Sequence, residues 1–471
     1  MTKEGEIISQ RVRALPPSPI RRFFDLVESM PDAISLSVGE PDFVTPWHIR
    51  EAAIYSLERG QTHYTPNRGT RELRQEISSY LARRFGLEYD PETEILVTLG
   101  VSEGLDLACR ALLDPGDRIV FPEPCYVAYR PCASLAGAAP VGIATTMEQG
   151  FKVTPEQVRA AGLGLAASQP SPGGGWARGR PSAALRACPE CHEGAGRTPR
   201  RAALAKRRPP LDSARGGPSD RGKGDPEPAC PERSRRVEGP LPGRGVTAAK
   251  ALLLGYPSNP TGVALSAQEM AALAAVAQEL DLLVIADELY AELRYDAAPI
   301  SFAAAPGMRE RTVLLSGFSK ALAMTGWRLG YACGPAHIID AMTKIHGYTA
   351  LCAPVTAQRA AAEGMRRAER EVEQMLAEYG RRRRVVMSRL RKMGLPCFEP
   401  QGAFYAFPSI VSTGMTSQEF AERLLVEQKV AVVPGDAFGE CGAGHIRICY
   451  ATGISLLEEA LERMARWARL R

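Results

Sequence analysis

Short runs of consecutive apolar residues alternate along this chain with longer segments in which apolar residues recur at a helical spacing. Continuous apolar runs are typical of strands buried on both faces, whereas a spacing of three and four residues is typical of helices packed on a sheet. The pattern predicts helices over Ser102–Leu113, with Ser102 as N-cap, and over Ser266–Leu280. This alternation predicts an α/β fold with three layers, in which helices cover both faces of a doubly wound, mainly parallel sheet. The predicted strands are Ile95–Leu99, Arg118–Phe121, Ala249–Leu254, Leu282–Ala286 and Thr312–Leu315.

The C-terminal third has a different pattern. A long helical spacing from about Ala362 to Met393 precedes a shorter stretch of mixed strands and helices, and a last helix begins at Ser455. We expect a smaller α+β domain, built from this third and the N-terminal arm. The four consecutive cations Arg381–Arg384 are expected on a solvated helix face. The predicted division is 1–45 for the arm, 46–162 and 249–361 for the large domain, 163–248 for an insertion, and 362–471 for the small domain.

Residues 163–248 differ in composition from the rest of the chain. They contain 14 Gly and 13 Pro and carry 16 Lys and Arg against 8 Asp and Glu, whereas the whole chain has a net charge of +5. Such a segment cannot bury enough apolar surface to offset the entropy of ordering it. We expect a low-complexity, disordered insertion that enters at the amino end of the Ala249–Leu254 strand and leaves the candidate site intact. Its Cys188-Pro-Glu-Cys191-His192 run matches a haem-attachment pattern, which we interpret as accidental.

Composition narrows the class of protein. The chain has 471 residues and 45% hydrophobic content, enough for two globular domains. It contains no apolar run of membrane-spanning length and no apolar core of a signal peptide, and its 11 cysteines follow no disulfide spacing. We therefore expect a cytoplasmic protein with no membrane partner, and the locally confined positive charge argues against a nucleic-acid partner. The six histidines form no pair at i and i+4, so we expect no metal site.

Polar residues follow each of the predicted strands. Gly100-Val101-Ser102 opens a helix after the first strand, where free backbone N–H groups form an anion site. The later strands are followed by Tyr126, Asn259, Asp287 and Lys320. Each has an ordinary structural use, such as capping a helix or forming a turn. Ligands of such sheets bind beyond the carboxyl ends of the strands, so the joint placement of these residues predicts a ligand site.

These groups match the needs of pyridoxal phosphate. A lysine can hold the cofactor aldehyde, a carboxylate can keep the ring nitrogen protonated, and an aromatic side chain can lie flat on the ring. A helix N-terminus and Arg328 can neutralise the phosphate. Here the sequence resembles the fold-type I, class I/II aminotransferases, and within them the bacterial aspartate and aromatic aminotransferase branch. The matching stretches are SLSVGEPDF (35–43), HYTPNRGTRELRQEI (63–77), GYPSNPTG (255–262), VIADELYAEL (284–293), SGFSKALAMTGWRLGY (316–331) and HIRICYA (445–451).

The resemblance implies roles around the cofactor ring. Lys320 would be the Schiff-base lysine and the base of the 1,3-proton shift. Asp287 would pair with the ring nitrogen, and Tyr126 would stack on the ring. Asn259 and Tyr290 would bond the phenolic oxygen.

The resemblance also implies a phosphate site. Arg328, Ser319 and the backbone amides near Val101 and Ser102 would hold the phosphate. A glycine stands three residues before the lysine, where many relatives have a phosphate-binding serine. Ser316 and Ser319 therefore both remain open for that role.

For the substrate, the resemblance implies a clamp on the α-carboxylate made by Arg447 and the backbone of Gly39, with Asn259 beside it. Tyr64 is similar to a tyrosine that reaches the phosphate of a neighbouring subunit, which implies a homodimer with composite sites.

The implied activity is transfer of an α-amino group from an L-amino acid, aspartate, aromatic or related, to a 2-oxo acid such as 2-oxoglutarate by a ping-pong mechanism. The same residues also serve a C–S β-lyase, and this alternative stays open. A cofactor-sensing regulator would need a DNA-reading domain that the residues before Ile34 are too few to supply. A product that folds poorly because of its insertion is a further alternative.

Overall fold

The structure is a computed structural model of the chain, and it describes residues 7–15, 27, 30–165 and 248–469. These residues belong to one compact unit, formed by Met1–Gln169 and Val246–Arg471. A second unit, Pro170–Gly245, holds most of the predicted insertion and its Cys188–His192 run, and it lies outside the described residues. No helix within the described ranges combines the length and the apolar character that a membrane span requires.

The described residues form strands and helices in alternation. The strands are β1 (Ile34–Ser35), β2 (Ile95–Thr98), β3 (Arg118–Glu123), β4 (Ala139–Ala144), β5 (Ala249–Gly255), β6 (Leu283–Asp287), β7 (Thr312–Gly317), β8 (Gly330–Cys333), β9 (Tyr405–Ala406), β10 (Val430–Ala431), β11 (Val433–Pro434) and β12 (Ile446–Cys449). The α-helices are α1 (Gln10–Arg13), α2 (Trp47–Glu58), α3 (Arg71–Phe85), α4 (Gly100–Leu112), α5 (Tyr129–Leu135), α6 (Pro155–Gly162), α7 (Ala267–Glu279), α8 (Ala336–Thr349), α9 (Val355–Arg367), α10 (Glu369–Met393), α11 (Ser417–Gln428) and α12 (Ile454–Arg469). Short 3₁₀ helices cover Phe302–Ala304, Thr325–Trp327, Val411–Thr413, Gly435–Phe438 and Glu440–Gly442.

Seven strands form the central sheet, in the order β2-β8-β7-β6-β5-β3-β4. Strand β8 runs antiparallel to both of its neighbours, and the other pairs are parallel. The prediction of a mainly parallel sheet is therefore confirmed, and every predicted strand is found with small shifts at its ends. Strands β4 and β8 are additional to the prediction. The first contains Pro140 and Gly142 and lies at a sheet edge, where such residues are tolerated, and the second has only four residues.

Consecutive residues of the central strands belong to different cores, which makes the fold three-layered. Leu252 and Val284 pack in one core with α7, whereas Leu253 and Ile285 pack in another with α4 and α8. Side chains alternate between the faces of a strand, so continuous apolar runs are required when helices cover both faces.

The start of α4 differs from the prediction. The helix begins at Gly100 with Leu99 as its N-cap, so the prediction of Ser102 as N-cap is wrong. The carboxylate of Glu103 accepts a hydrogen bond from the backbone N–H of Leu99 at 2.6 Å. This bond satisfies a backbone donor at the start of the helix, as a capping side chain would. The helix predicted over Ser266–Leu280 is found as α7, and Ser266 is its N-cap, in a capping box with Glu269.

The C-terminal third forms a separate core. Strands β11, β12 and β9 make a small antiparallel sheet, and β1 pairs in parallel with β10. Residues of α10, α11 and α12 pack together with Ile34 and Leu36. This packing confirms the predicted α+β character of the C-terminal third and shows that residues near Ile34 share its core. The predicted domain boundaries themselves stay predictions.

Two expectations about the long helical stretch are corrected. The continuous helix predicted from Ala362 to Met393 is two helices, α9 and α10, because buried Ala368 leaves the helical conformation at φ −90° and ψ 12°. The solvated face predicted for Arg381–Arg384 is wrong for its two central members. Arg382 is 4% exposed and Arg383 is 7% exposed, and both pair with carboxylates. Successive residues of an α-helix are about 100° apart around the axis, so four in a row cannot all face water on a packed helix.

Candidate active site

A cavity of ≈ 410 Å³ lies at the carboxyl ends of the central strands. Its lining includes every residue predicted for the site except Tyr64. The predicted residues that line it are Gly39, Val101, Ser102, Tyr126, Asn259, Asp287, Tyr290, Ser319, Lys320, Arg328 and Arg447. The strands bring these residues together from positions that are far apart in sequence, as expected for an open α/β sheet.

Lys320 lies on the turn that follows β7. Its Nζ donates a hydrogen bond to the carbonyl oxygen of Gly39 at 2.5 Å and lies 5.9 Å from the centre of the Tyr290 ring. Burial lowers the pKa of this amine to about 8, and the charges of Arg447 and Arg328 act in the same direction. The neutral amine is therefore available near pH 8, where an ordinary lysine would be protonated.

Asp287 ends β6, and two donors hold its carboxylate. Its Oδ2 accepts from the hydroxyl of Tyr129 at 2.9 Å, and its Oδ1 accepts from the backbone N–H of Leu289 at 3.3 Å. Burial raises the pKa of Asp287, whereas both hydrogen bonds and the nearby Lys320 charge favour the ionised form. Tyr129 reaches this position because Gly255 has no side chain: a Cβ there would lie 2.0 Å from the tyrosine oxygen.

Arg447 lies on β12 and is 4% exposed. Its Nη1 donates to Oδ1 of Asn259 at 2.8 Å, and its Nη2 donates to the carbonyl oxygen of Ser37 at 2.5 Å. The guanidinium lies 4.6 Å from the ring centre of Tyr405 and 4.9 Å from that of Phe438. These contacts fix the orientation of a fork that can bind a carboxylate through two N–H groups.

Tyr290 and Tyr405 form a buried pair beside the lysine. Their hydroxyls are 2.7 Å apart, and their rings meet edge to face at 5.7 Å. Gly39 packs directly on this pair, because a Cβ at that position would lie 2.2 Å from the Tyr405 oxygen. A side chain at Gly39 would therefore displace the tyrosine or the carbonyl that Lys320 contacts.

Two positive ends converge at the start of α4. Gly100 has φ +77°, and a Cβ there would lie 3.0 Å from Nη2 of Arg328. The guanidinium thus approaches the N-terminus of the helix, where the backbone N–H groups of Val101 and Ser102 are at the positive end of the helix dipole. Tyr126 and Ser102 both line this cavity. Two like-charged ends at this distance indicate a place for an anion.

The two candidate serines lie in different surroundings. Ser319 lines the cavity. Ser316 lines a different cavity, and its hydroxyl donates to the carbonyl oxygen of Glu288 at 3.4 Å. The geometry therefore favours Ser319.

Tyr64 does not line the cavity within this chain, and it is 85% exposed. The loop that carries it contacts the end of α8, where a Cβ on Gly347 would lie 2.7 Å from the amide nitrogen of Asn67. Tyr348, next along this helix, is 91% exposed. Two large aromatic side chains are thus exposed on neighbouring elements.

Sequence reasoning missed Tyr129 and Tyr405. Tyr129 follows Tyr126 by three residues in PEPCYVAY, a spacing that places two tyrosines on one face of a helical turn. No sequence signal marks Tyr405 as a site residue. The pairing of β9 with β12 brings it beside Arg447.

Comparison with known proteins agrees with this geometry. The sequence pattern of the family described as Aminotransferase class I and II matches residues 31–167 and 240–464. YugH of Bacillus subtilis, which its name assigns provisionally to the aminotransferases, is 44% identical over 460 residues, 98% of each chain. Aspartate aminotransferase of Pyrococcus abyssi is 37% identical over 466 residues, also 98% of each chain. The crystal structure of an aromatic aminotransferase from Pyrococcus horikoshii superimposes with a TM-score of 0.74 at 37% identity, covering 95% of this chain and 99% of that one.

The chain belongs to the class I and II aminotransferases. It is an aminotransferase of the aspartate and aromatic type, and the unmatched residues between 167 and 240 fit an insertion into the family's chain.

Aminotransferases of this family use pyridoxal phosphate, and the residues present fit that cofactor. The close approach of Arg328 to the Gly100 turn leaves a cationic cradle suited to a phosphate. The carboxylate of Asp287 and the amine of Lys320 line the same cavity as this cradle. Within the described part of the chain, no group of three or more His, Cys, Asp or Glu side chains could hold a metal ion.

Proposed function

We propose that this aminotransferase transfers the α-amino group of aspartate, or of an aromatic or related L-amino acid, to a 2-oxo acid such as 2-oxoglutarate, with Lys320 as its cofactor-binding and catalytic residue. The observation that carries the proposal is the placement of Lys320, Asp287 and Arg447 around one cavity. When bound, pyridoxal phosphate supplies an aldehyde that condenses with amines and a ring that accepts the electrons of a broken bond.

Lys320 is proposed to hold the cofactor and then to move a proton at the substrate Cα. Its pKa of about 8 supports this role, since a base works best when its pKa is close to the working pH. The rings of Tyr290 and Phe404, whose centres are 5.9 and 5.8 Å from Nζ, keep bulk water from the amine on that side.

Asp287 is proposed to keep the cofactor's ring nitrogen protonated. The bonds from Tyr129 and Leu289 stabilise its negative charge against burial, so the carboxylate can face a cationic nitrogen. Tyr290 and Asn259 are proposed to donate to the phenolic oxygen, and Tyr126 to lie on the ring.

The anionic end of the cofactor is proposed to bind at the start of α4. The supporting contacts are the approach of Arg328 to Gly100 and the presence of Ser319 in the same cavity. The N–H groups of Val101 and Ser102 complete the set of donors.

Arg447 and Gly39 are proposed to bind the substrate α-carboxylate, with Asn259 beside them. Arg447 is fixed by Asn259, Ser37 and two aromatic rings, so little entropy is lost when it binds a carboxylate. A fixed carboxylate in turn fixes the direction of the Cα–H bond toward Lys320.

The substrate range rests on the relatives. One carries an aspartate aminotransferase name and another an aromatic aminotransferase name. A homodimer is also proposed, because exposed Tyr64 and Tyr348 lie on neighbouring elements and aromatic residues are enriched at protein–protein interfaces. A cytoplasmic location stays a prediction, supported by the free thiols of the eight described cysteines.

The proposal is tested by a half-reaction. The loaded protein is mixed with single L-amino acids without a keto acid, and the cofactor absorbance is followed. Aspartate or an aromatic amino acid is expected to convert the cofactor to its amino form, and Lys320→Ala is expected to lose the absorption of lysine-bound cofactor and the conversion. Release of pyruvate and ammonia without an acceptor would indicate a β-lyase instead. Full turnover by Lys320→Ala would contradict the role of Lys320.

A further inference from the structure

Residues 38–45 carry the Gly39 carbonyl that meets Lys320 and directly follow Ser37, whose carbonyl meets Arg447, yet no regular structure supports them. Strand β1 ends at Ser35, and the last backbone bonds to its continuation join Leu36 to Ala431 and Cys449. Among the described residues, none forms a backbone–backbone hydrogen bond with residues 38–45. This stretch, which we call the 38–45 segment, therefore depends on side chains for its position.

The segment and its entry point deliver two carbonyl oxygens to the site. The carbonyl of Ser37 accepts from Arg447 at 2.5 Å, and that of Gly39 accepts from Lys320 at 2.5 Å. A movement of the segment by about 1 Å would break the Gly39 contact and disturb the adjoining Ser37 contact, because N–H···O bonds lie within a range of about half an ångström.

Arg382 of α10 contacts the middle of the segment. Its Nη1 donates to Oδ1 of Asp42 at 2.8 Å, while its Nε donates to Glu378 on its own helix at 2.9 Å. The guanidinium also lies 5.4 Å from the ring centre of Phe43 and 5.7 Å from that of Tyr379. Because the side chain of Arg382 is only 5% exposed, solvent screens this ion pair little.

The far end of the segment is fixed separately. The hydroxyl of Thr45 donates to the carbonyl of Ala323 at 2.6 Å and accepts from the indole N–H of Trp327 at 3.1 Å. Between Gly39 and Thr45, Asp42 is the only residue that forms an ion pair with another described residue, and its partner is Arg382.

We propose that Arg382 is a positioning residue of this aminotransferase: its partly buried ion pair with Asp42 holds the 38–45 segment so that Gly39, and Ser37 at its entry point, meet Lys320 and Arg447. The inference rests on the proposed roles of Lys320, Arg447 and Gly39. Arg382 itself touches neither of these cations, so it acts through the segment.

The neighbouring arginines provide matched controls. Arg383 is equally buried, but it donates to the carbonyl of Pro400 and to Asp296 and lies over Tyr295, none of which belongs to the segment. Among the described residues, the ion-pair partner of Arg381 is Glu378, and the side chain of Arg381 is 53% exposed. Replacing Arg383 should therefore lower stability without releasing the segment, and replacing Arg381 should do neither.

The experiment compares Arg382→Met, Arg383→Met and Arg381→Met in the loaded, full-length protein by limited chymotrypsin digestion, in which mass spectrometry follows cleavage after Phe43. In Arg382→Met, cleavage after Phe43 is expected to be about tenfold faster or more, whereas cleavage within β5 and β6 stays unchanged. The other two variants are expected to leave cleavage after Phe43 at its original rate. Unchanged cleavage in Arg382→Met, or equal acceleration in Arg383→Met, would overturn the proposal.

Steady-state kinetics give the functional readout. Arg382→Met is expected to raise KM for the amino acid about tenfold with kcat within about threefold, the pattern of weakened substrate binding. Asp42→Asn is expected to do the same, and the double variant to add little to either single change. If Lys320→Ala keeps full turnover, the proposed function fails. If Arg382→Met keeps the original KM while Lys320→Ala is inactive, only the present inference fails.

Discussion

Adjacent residues at the ends of β6 and β7 line two different cavities. Asp287, Ser319 and Lys320 line the ≈ 410 Å³ cavity of the candidate active site. Glu288 and Ser316 line a second cavity of ≈ 260 Å³, beside α3 and α10. Both cavities contain an acidic residue, a serine and tyrosines, and the two acids are adjacent in the sequence.

The two cavities differ in how fully their polar groups are occupied. In the second cavity, Glu288 accepts from the backbone N–H of Phe302 at 2.6 Å, and Glu292 accepts from Arg84 at 2.9 Å and from Tyr80. In the first, the carbonyl of Gly39 is the one hydrogen-bond partner that the described residues provide for the amine of Lys320, and Arg328 faces the positive N-terminus of α4 at the Gly100 turn. The comparison shows that residue types alone do not define a ligand site. A ligand site also needs hydrogen-bond donors and charges that are available to the ligand.

The largest expected difference between the cavities concerns the two acids. Asp287→Asn removes the charge that we propose keeps the cofactor's ring nitrogen protonated, and a broken buried pair costs about 3–5 kcal/mol, so kcat/KM is expected to fall about 100-fold or more. Glu288→Gln keeps the acceptor for Phe302, and activity is expected to stay within a few-fold. Steady-state assays of both variants, with circular dichroism to verify folding, measure this. Equal losses of kcat/KM in the two variants would contradict the proposed difference between the two cavities.

A smaller effect is expected in the pH dependence of stability. Burial raises the pKa of Glu288 from 4.5 to about 7, so between these values the folded protein binds more protons than the unfolded chain. The contribution of Glu288 to the free energy of unfolding is therefore present at low pH and lost as pH rises through about 7, by up to about 3 kcal/mol. Thermal unfolding of the original protein and of Glu288→Gln between pH 5 and 8 checks this. The variant is expected to lose less stability over that range, and parallel curves would show that Glu288 does not titrate there.

The sequence predicted the active-site edge well because each of its main residues directly follows a strand. Once the apolar runs ending near Leu254, Ala286 and Leu315 are assigned to one parallel sheet, Asn259, Asp287 and Lys320 must converge. The roles carried over from the family pattern then name the same residues that the cavity brings together.

The remainder depends on contacts between distant segments, which a sequence pattern does not contain. Tyr129 becomes a partner of Asp287 only because Gly255 lies on the neighbouring strand, and Arg382 is buried only because Asp42 approaches α10. The error at Ser102 has a local cause. Ser102 has a side chain typical of an N-cap and Leu99 does not, and the carboxylate that accepts the hydrogen bond of Leu99 belongs to Glu103, a residue inside the helix.

The central claim is that Lys320 forms the covalent bond to the cofactor. Reduction of the loaded protein with borohydride, followed by digestion and mass spectrometry, locates that bond directly. The account predicts the added cofactor mass on the peptide that contains Lys320, and on no other lysine. Cofactor mass on a different lysine, with Lys320 unmodified, would contradict the account.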